Sequence, residues 1–210
     1  MNKIYMDNAA TTRITQPVLE AMMPYLTGCY GNPSSVYETG REARKAIEKA
    51  RQQTAEALGA QPGEIYFTGC GTESDNWALR GAAYARRDKG KHIITSAIEH
   101  HAVLHTAQQL EKEGFQVTYL PVDGEGLVDP AELEKAMRPD TTLVSVMMAN
   151  NEIGTLQPIE ELGRIAKAHG ALMHTDAVQA IGSVAIDLAA LPVDLLSLSG
   201  HKFHAPKGVG

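Results

Sequence analysis

The strongest constraint on this chain is an alternation of periods. Short β-prone runs fall at 65–68, 92–95, 117–120, 143–148, 172–175 and 194–197, and helical patterns near 73–87, 101–113, 130–138 and 159–169 separate them. Ahead of these, residues 38–58 read as a helix, with Ala43, Ala46, Ile47, Ala50, Ala57 and Leu58 at near-helical spacing among charges and Gly59 as its stop. The segment before that reads as extended. Apolar strands alternating with helices predict an α/β chain with a mostly parallel sheet buried on both faces. No internal repeat or low-complexity linker breaks the pattern.

The composition can supply the core such a sheet needs. Only 5% of residues are aromatic, but 43% are hydrophobic, and a chain of 210 residues buries most of its apolar surface when Ala, Val, Ile and Leu do the filling. A formal net charge of -6 argues against a nucleic-acid partner, because phosphate contacts need a basic face. The longest apolar run, 143–149, is broken by Ser145 and falls far short of the roughly 20 residues that cross a bilayer. Met1-Asn2-Lys3-Ile4-Tyr5-Met6-Asp7 has no apolar h-region, so neither a signal peptide nor a membrane anchor is expected, and the expected location is cytoplasmic. Cys29 and Cys70 indicate neither a disulfide framework nor a metal cage. Ala205-Pro206-Lys207-Gly208-Val209-Gly210 reads as a turn leading toward a further strand, which makes a fragment the expectation.

In parallel α/β sheets, ligands sit outside the carboxyl ends of the strands. Five of those ends carry polar groups: Gly69-Cys70-Gly71-Thr72-Glu73-Ser74, Ser96-Ala97-Ile98-Glu99-His100-His101, Ala149-Asn150-Asn151-Glu152, Asp176-Ala177-Val178-Gln179 and Ser199-Gly200-His201-Lys202. Five such ends at one sheet edge point to an active site. Gly69-Cys70-Gly71-Thr72 leads into a helix, so its N–H groups, the helix dipole and the Thr72 hydroxyl form a candidate phosphate cup; the same turn can equally be only a turn, with Thr72 as an N-cap. Neither the Walker pattern nor Gly-x-Gly-x-x-Gly is present, which counts against a nucleotide.

Lys202 follows a buried strand and a glycine, where a lysine must either snorkel to solvent or be used chemically. Asp176 closes the preceding strand at the same edge, and a buried carboxylate there needs a cationic partner. A lysine for a Schiff base, a phosphate cup and a buried Asp for a pyridinium nitrogen are what a pyridoxal phosphate site requires. His101 and His105 have the i, i+4 spacing of a metal pair, but no third ligand accompanies them, and no metal site is expected. His105 reads as a helix-surface residue, His169, His174 and His204 as structural, and His92 as the opening of a strand. Cys70 is either a thiol activated by the helix N-terminus or, the blander reading, a small turn residue.

These residues resemble a known family. Tyr5-Met6-Asp7-Asn8-Ala9-Ala10-Thr11-Thr12, Gly31-Asn32-Pro33-Ser34-Ser35, Phe67-Thr68 through Thr72-Glu73-Ser74-Asp75-Asn76, Glu99-His100, Asn150-Asn151-Glu152, His174-Thr175-Asp176-Ala177-Val178-Gln179 and Ser199-Gly200-His201-Lys202 occur in the order of the cysteine desulfurases of the nitrogen-fixation type, class V, fold-type I pyridoxal phosphate enzymes. The resemblance implies a three-layer sandwich with a mostly parallel sheet. Residues 1–15 would be an N-terminal segment packing with a small C-terminal domain, and 16–210 an incomplete cofactor-binding large domain, with the small domain itself absent.

The resemblance also implies roles. Lys202 would hold pyridoxal 5'-phosphate as a Schiff base and, once displaced by substrate, move the Cα proton. Asp176 would pair with the pyridine nitrogen, Asn151 and Gln179 would bond the phenolic-oxygen side, and His100 would stack on the ring and shuttle protons. Gly71, Thr72, Ser199 and His201 would bind the phosphate, with Gly200 part of the same turn. The implied reaction takes L-cysteine to L-alanine, with the sulfur passed as a persulfide to an iron–sulfur scaffold or other acceptor protein by a homodimer. The sulfur-accepting cysteine and the substrate-binding arginine of that family lie beyond the region matched here, and neither Cys29 nor Cys70 inherits the first role. The fragment is therefore expected to be inactive alone. Alternatives on the same residues are a selenocysteine lyase or another class V lyase or transaminase, and a non-catalytic truncated scaffold.

Overall fold

The computed structural model describes residues 4–210, so the first three residues of the 1–15 segment lie outside the described residues. Five strands form one sheet: β1 (His92–Ser96), β2 (Gln116–Leu120), β3 (Thr141–Ser145), β4 (Leu172–Asp176) and β5 (Leu195–Ser197). Their order is β2-β1-β3-β4-β5, with every pairing parallel. The central β1 and β3 are buried at every position, which is why their middles, Ile93-Ile94-Thr95 and Thr142-Leu143-Val144, read as apolar or β-branched without alternation.

The helices lie on both faces, as parallel connections require. On one face α3 (Gly71–Arg86) and α4 (His101–Lys112) bury Leu79, Ala83, Val103 and Leu110 against Ile93 and Leu143. On the other, α5 (Pro130–Ala136) and α6 (Ile159–Ala168) bury Leu133, Ile159, Leu162 and Ala166 against Ile94, Val144 and Met173. Neighbouring strand residues thus feed opposite layers, and each fully buried Leu or Ile contributes roughly 1.5–3 kcal/mol. The result is the expected three-layer α/β arrangement.

The expected helix over 38–58 is α2 (Glu38–Leu58), and Gly59 ends it in the left-handed conformation at φ 69°. Two expectations fail. The segment read as extended contains α1 (Gln16–Thr27). Pro17 sits in its first turn, where a missing N–H is tolerated, and Pro24 lies near its end, so neither proline prevents the helix. The run at 65–68 is not a strand; its ladder is one reciprocal pair, Thr68 N–H to Gly210 O at 2.8 Å and Gly210 N–H to Thr68 O at 2.9 Å. Among the described residues, no helix is long and apolar enough to cross a membrane.

One face of the sheet changes character along its length. Register pairs Leu143 with Leu172 and Ser145 with His174, and likewise His174 with Leu195 and Asp176 with Ser197. Because alternate residues share a face, Leu143, Leu172 and Leu195 give way to Ser145, His174, Asp176 and Ser197 beneath α3. An apolar floor becomes polar toward the carboxyl ends.

Candidate active site

A cavity of about 520 Å³ opens at those carboxyl ends. It brings together Gly71, Thr72, His100, Asn151, Asp176, Gln179, Ser199, His201 and Lys202. Gly200 stays outside the lining, buried in the short 3-10 turn Gly200–Lys202, where an added Cβ would come within 2.7 Å of Val209 Cγ1.

The α3 end of the cavity is built to receive an anion. Cys70, not Thr72, is the residue ahead of the helix, and its side chain makes no capping bond. The helical ladder begins with Ser74 N–H to Cys70 O at 3.1 Å, so the N–H groups of Gly71, Thr72 and Glu73 precede it and are open to a ligand. Glu73 turns back to accept from Gly69 N–H at 2.6 Å. A Cβ at Gly71 would lie 2.9 Å from Val178 Cγ2 and 3.2 Å from Ser199 Cβ, so only glycine lets this turn approach the ends of β4 and β5. Cys70 is exposed and lines the cavity.

Asp176 ends β4, buried, and its Oδ1 accepts from Val178 N–H at 2.9 Å. Burial pushes its carboxyl up, opposed by the Val178 N–H, His100 and Lys202. Across the cavity, burial lowers the Lys202 ammonium while Asp176 and Asp7 raise it. No ion-pair contact joins Lys202 to Asp176. The lysine instead donates to Ala9 O, and to Ala10 O at 3.1 Å. An acid and an amine held apart across a cavity leave room for a cationic ring between them.

The remaining side chains are placed by the backbone around them. His100 precedes α4, and its Nδ1 accepts from Ala102 N–H at 3.1 Å, which leaves Nε2 to carry the proton of the neutral ring. Asn150 builds the next turn: its amide donates to Ile98 O at 2.9 Å and its Oδ1 accepts from Glu152 N–H at 2.8 Å. Asn151 is thereby turned to the cavity, with its own amide on Glu152 Oε1 at 2.7 Å. Gln179 donates to Ala9 O at 2.8 Å. His201 Nδ1 lies 3.0 Å from Thr11 Oγ1, and Thr12 Oγ1 donates to His201 O at 2.8 Å. Residues 9–12 therefore cover the lysine turn.

Sequence reasoning gave no role to four contributors, although Asp75 and Glu99 both stand in the motifs it singled out. The Ala9 and Ala10 carbonyls are backbone groups that no side-chain pattern reveals. Asp75 lines the cavity at 1% exposure, and Glu99 is 5% exposed behind it. Asp75 was visible in principle, since Gly71, Asp75, Leu79 and Ala82 form the buried stripe of α3 and an acid in such a stripe is anomalous. The other histidines serve elsewhere. His92 bonds Thr141 Oγ1 at 2.7 Å and Thr118 Oγ1 at 2.9 Å, His169 pairs with Glu134 at 2.8 Å, and His101 and His105 lie side by side on α4. Among the described residues, no group of three or more His, Cys, Asp or Glu side chains is placed to hold a metal ion.

Known proteins share this fold. The chain is 63% identical over 207 residues to a cysteine desulfurase IscS of Methanosarcina thermophila and 57% identical over 208 residues to one of Dictyoglomus turgidum. Those matches cover 99% of this chain in both cases, but 51% and 53% of the relatives, so the chain spans about half their length. A solved NifS-like protein superposes with a TM-score of 0.97 at 49% identity, over 100% of this chain and 58% of that one. A structure of SspA in complex with cysteine gives 0.95 at 44% identity, over 99% and 60%. The aminotransferase class-V model matches residues 4–210, and the chain belongs to that family.

Proposed function

We propose that this chain forms the cofactor-holding part of a cysteine desulfurase, binding pyridoxal 5'-phosphate and directing it at L-cysteine. The observation that carries this reading is the pairing across one cavity of buried Asp176 with Lys202, whose ammonium burial weakens, beside a helix start with open N–H groups. Such a donor set fits a phosphate, a cationic ring nitrogen and an aldehyde at once.

When bound, pyridoxal phosphate supplies a carbonyl for an amino group and a cationic ring that takes up the electrons of a Cα–H bond. The chain's own residues do the rest. The first N–H groups of α3, with the Thr72 and Ser199 hydroxyls and His201, bind the phosphate. Asp176 keeps a proton on the ring nitrogen, and its burial strengthens that pairing. Asn151 and Gln179 orient the ring from the phenolic-oxygen side. Lys202 would hold the aldehyde carbon and, once free, its Nζ would carry the Cα proton; burial lowers its ammonium, which eases the release of that proton. His100 holds or gives a proton at Nε2.

In the whole protein the products are L-alanine and a persulfide destined for an iron–sulfur scaffold or another acceptor, and the working form is a cytoplasmic homodimer. The cysteine seen with SspA supports the substrate class. Neither Cys29 nor Cys70 is expected to take the sulfur, so the 210-residue chain should bind cofactor without releasing sulfur; sulfide or persulfide production by it would overturn this.

Borohydride reduction of the chain with pyridoxal phosphate, followed by peptide mass analysis, tests the site directly. The label should sit on Lys202 and vanish in Lys202→Ala. A label on another lysine, or one that survives the substitution, would remove the assignment.

A further inference from the structure

Beneath α3 the mechanism leaves one buried acid without a task. Asp75 is 1% exposed, and its Oδ1 has no hydrogen-bond partner among the described residues. Its nearest basic group is His174 Nε2 at 3.7 Å, from β4. That histidine is fully buried between two hydroxyls, Ser145 at 2.8 Å on Nδ1 and Ser197 at 3.0 Å on Nε2. Burial drives its pKa down to about 3, so the contact with Asp75 is not an ion pair. The other charged groups around Asp75 are acids: Asp176 at the end of β4 and Glu99 from the loop after β1. Only the Ser197 hydroxyl, from β5, favours an anion there. Burial and the Asp176 charge together push Asp75 up to about 8. The basic groups near the floor, His100 and Lys202, act on Asp176 instead.

We propose that Asp75 is a positioning residue acting through Asp176: it stands beneath the cavity as a neutral carboxylic acid, set against the Ser145–His174–Ser197 array, and leaves Asp176 as the one carboxylate offered to a cationic ring. Two buried anions side by side would each resist ionising, and the ring-pairing acid would lose its charge as often as its neighbour did. A proton kept on Asp75 removes that competition. This rests on the ring-pairing reading of Asp176, while the protonation of Asp75 is observable without any cofactor.

Infrared spectra of the chain grown with carboxyl-labelled aspartate test it. At pH 7 an isotope-shifted band of a protonated carboxyl is expected in the unliganded chain, lost in Asp75→Asn, present in Asp176→Asn but fading at a lower pH because the Asp176 charge is gone, and fading in the wild type as pH rises past about 8. The label separates it from Glu99. A wild-type chain with no labelled protonated carboxyl would overturn the proposal without recourse to any variant. So would a band that survives Asp75→Asn and disappears in Asp176→Asn, because the proton would then sit on the other acid.

Pyridoxal phosphate affinity is the second readout. Asp75→Asn, which keeps the neutral shape, should bind within about threefold of wild type, whereas Asp176→Asn should lose about tenfold or more. Equal losses in the two variants would show Asp75 to be a ring partner itself and overturn the positioning role. An unchanged affinity in Asp176→Asn, with the infrared band intact, would mark failure of the ring-pairing reading, and of the positioning role built on it, while the protonation of Asp75 stood.

Discussion

Two fully buried histidines sit at different levels of the same sheet, and their surroundings differ in one respect. His92, at the amino end of β1, has a threonine hydroxyl on each ring nitrogen, and the network ends at the Arg138 N–H that donates to Thr141 Oγ1 at 2.9 Å, away from the cavity. His174, toward the carboxyl end of β4, has a serine hydroxyl on each nitrogen, but the network continues to Asp75, Asp176 and the cavity. A buried polar group with every partner supplied is a structural device. The same device with an unpartnered acid beside it has been left open at the end where ligands bind. Polarity in a core is therefore uninformative until its partners are counted.

Substituting each histidine should separate the two. His92→Ala and His174→Ala should each cost about 2–4 kcal/mol in denaturant unfolding, because both strip partners from buried hydroxyls. Only His174→Ala should also weaken pyridoxal phosphate, by about tenfold, as Ser197 and Asp75 lose their registration beneath Asp176. Equal cofactor losses in both variants would erase the distinction.

A pH series sharpens the same contrast. Asp75 and Glu99 each rise to about 8, from 3.8 and 4.5, so the folded chain keeps protons that the unfolded chain has released, and stability falls as pH rises through that window. His174 works in the opposite direction: with a folded value of about 3 against 6.5, it adds stability as pH rises to 6.5 and nothing further above it. Melting temperature should therefore fall more gently from pH 5 to 6.5 than from 6.5 to 8. Glu99→Gln should flatten both limbs, gaining on the order of 10 °C on the wild type by pH 8. Its Oε1 bonds, from Ser96 at 2.5 Å and Met147 N–H at 2.9 Å, can pass to the amide oxygen. A parallel profile in the variant would show that Glu99 ionises normally. The smallest effect belongs to the exposed Lys135–Glu132 pair on α5, where Lys135→Ala should move melting by less than about 1 °C at any pH.

How far the sequence could be read follows from the same distinction between patterns and partners. Glu38–Leu58 was legible to its last residue because a charged helix with an apolar stripe ends on a glycine that turns left-handed. The α1 helix was not, because Pro17 and Pro24 mask it and no residue of it is buried, so no apolar stripe faces a core. The run at 65–68 has the composition of a strand, but a strand also needs a neighbour, and composition does not supply one. In the site, residues after strands were legible because parallel topology carries all such ends to one edge. Asp75 lies within a helix, and only its place on the stripe of Gly71, Leu79 and Ala82 marks it as buried. The Ala9 and Ala10 carbonyls have no residue-specific signature at all.

The bonds from residues 9–12 onto the turn at 201–202 have a temporal consequence. Thr12 to His201 spans 189 positions and Lys202 to Ala10 spans 192, so this closure is of very long range. Contacts of such separation pay their loop entropy before they return anything, and they form late. During synthesis the layers around β1 and β3 can assemble while the lysine is still inside the ribosome. Closure over the lysine turn then reports that two distant stretches of chain have met, after the layers around β1 and β3 are in place.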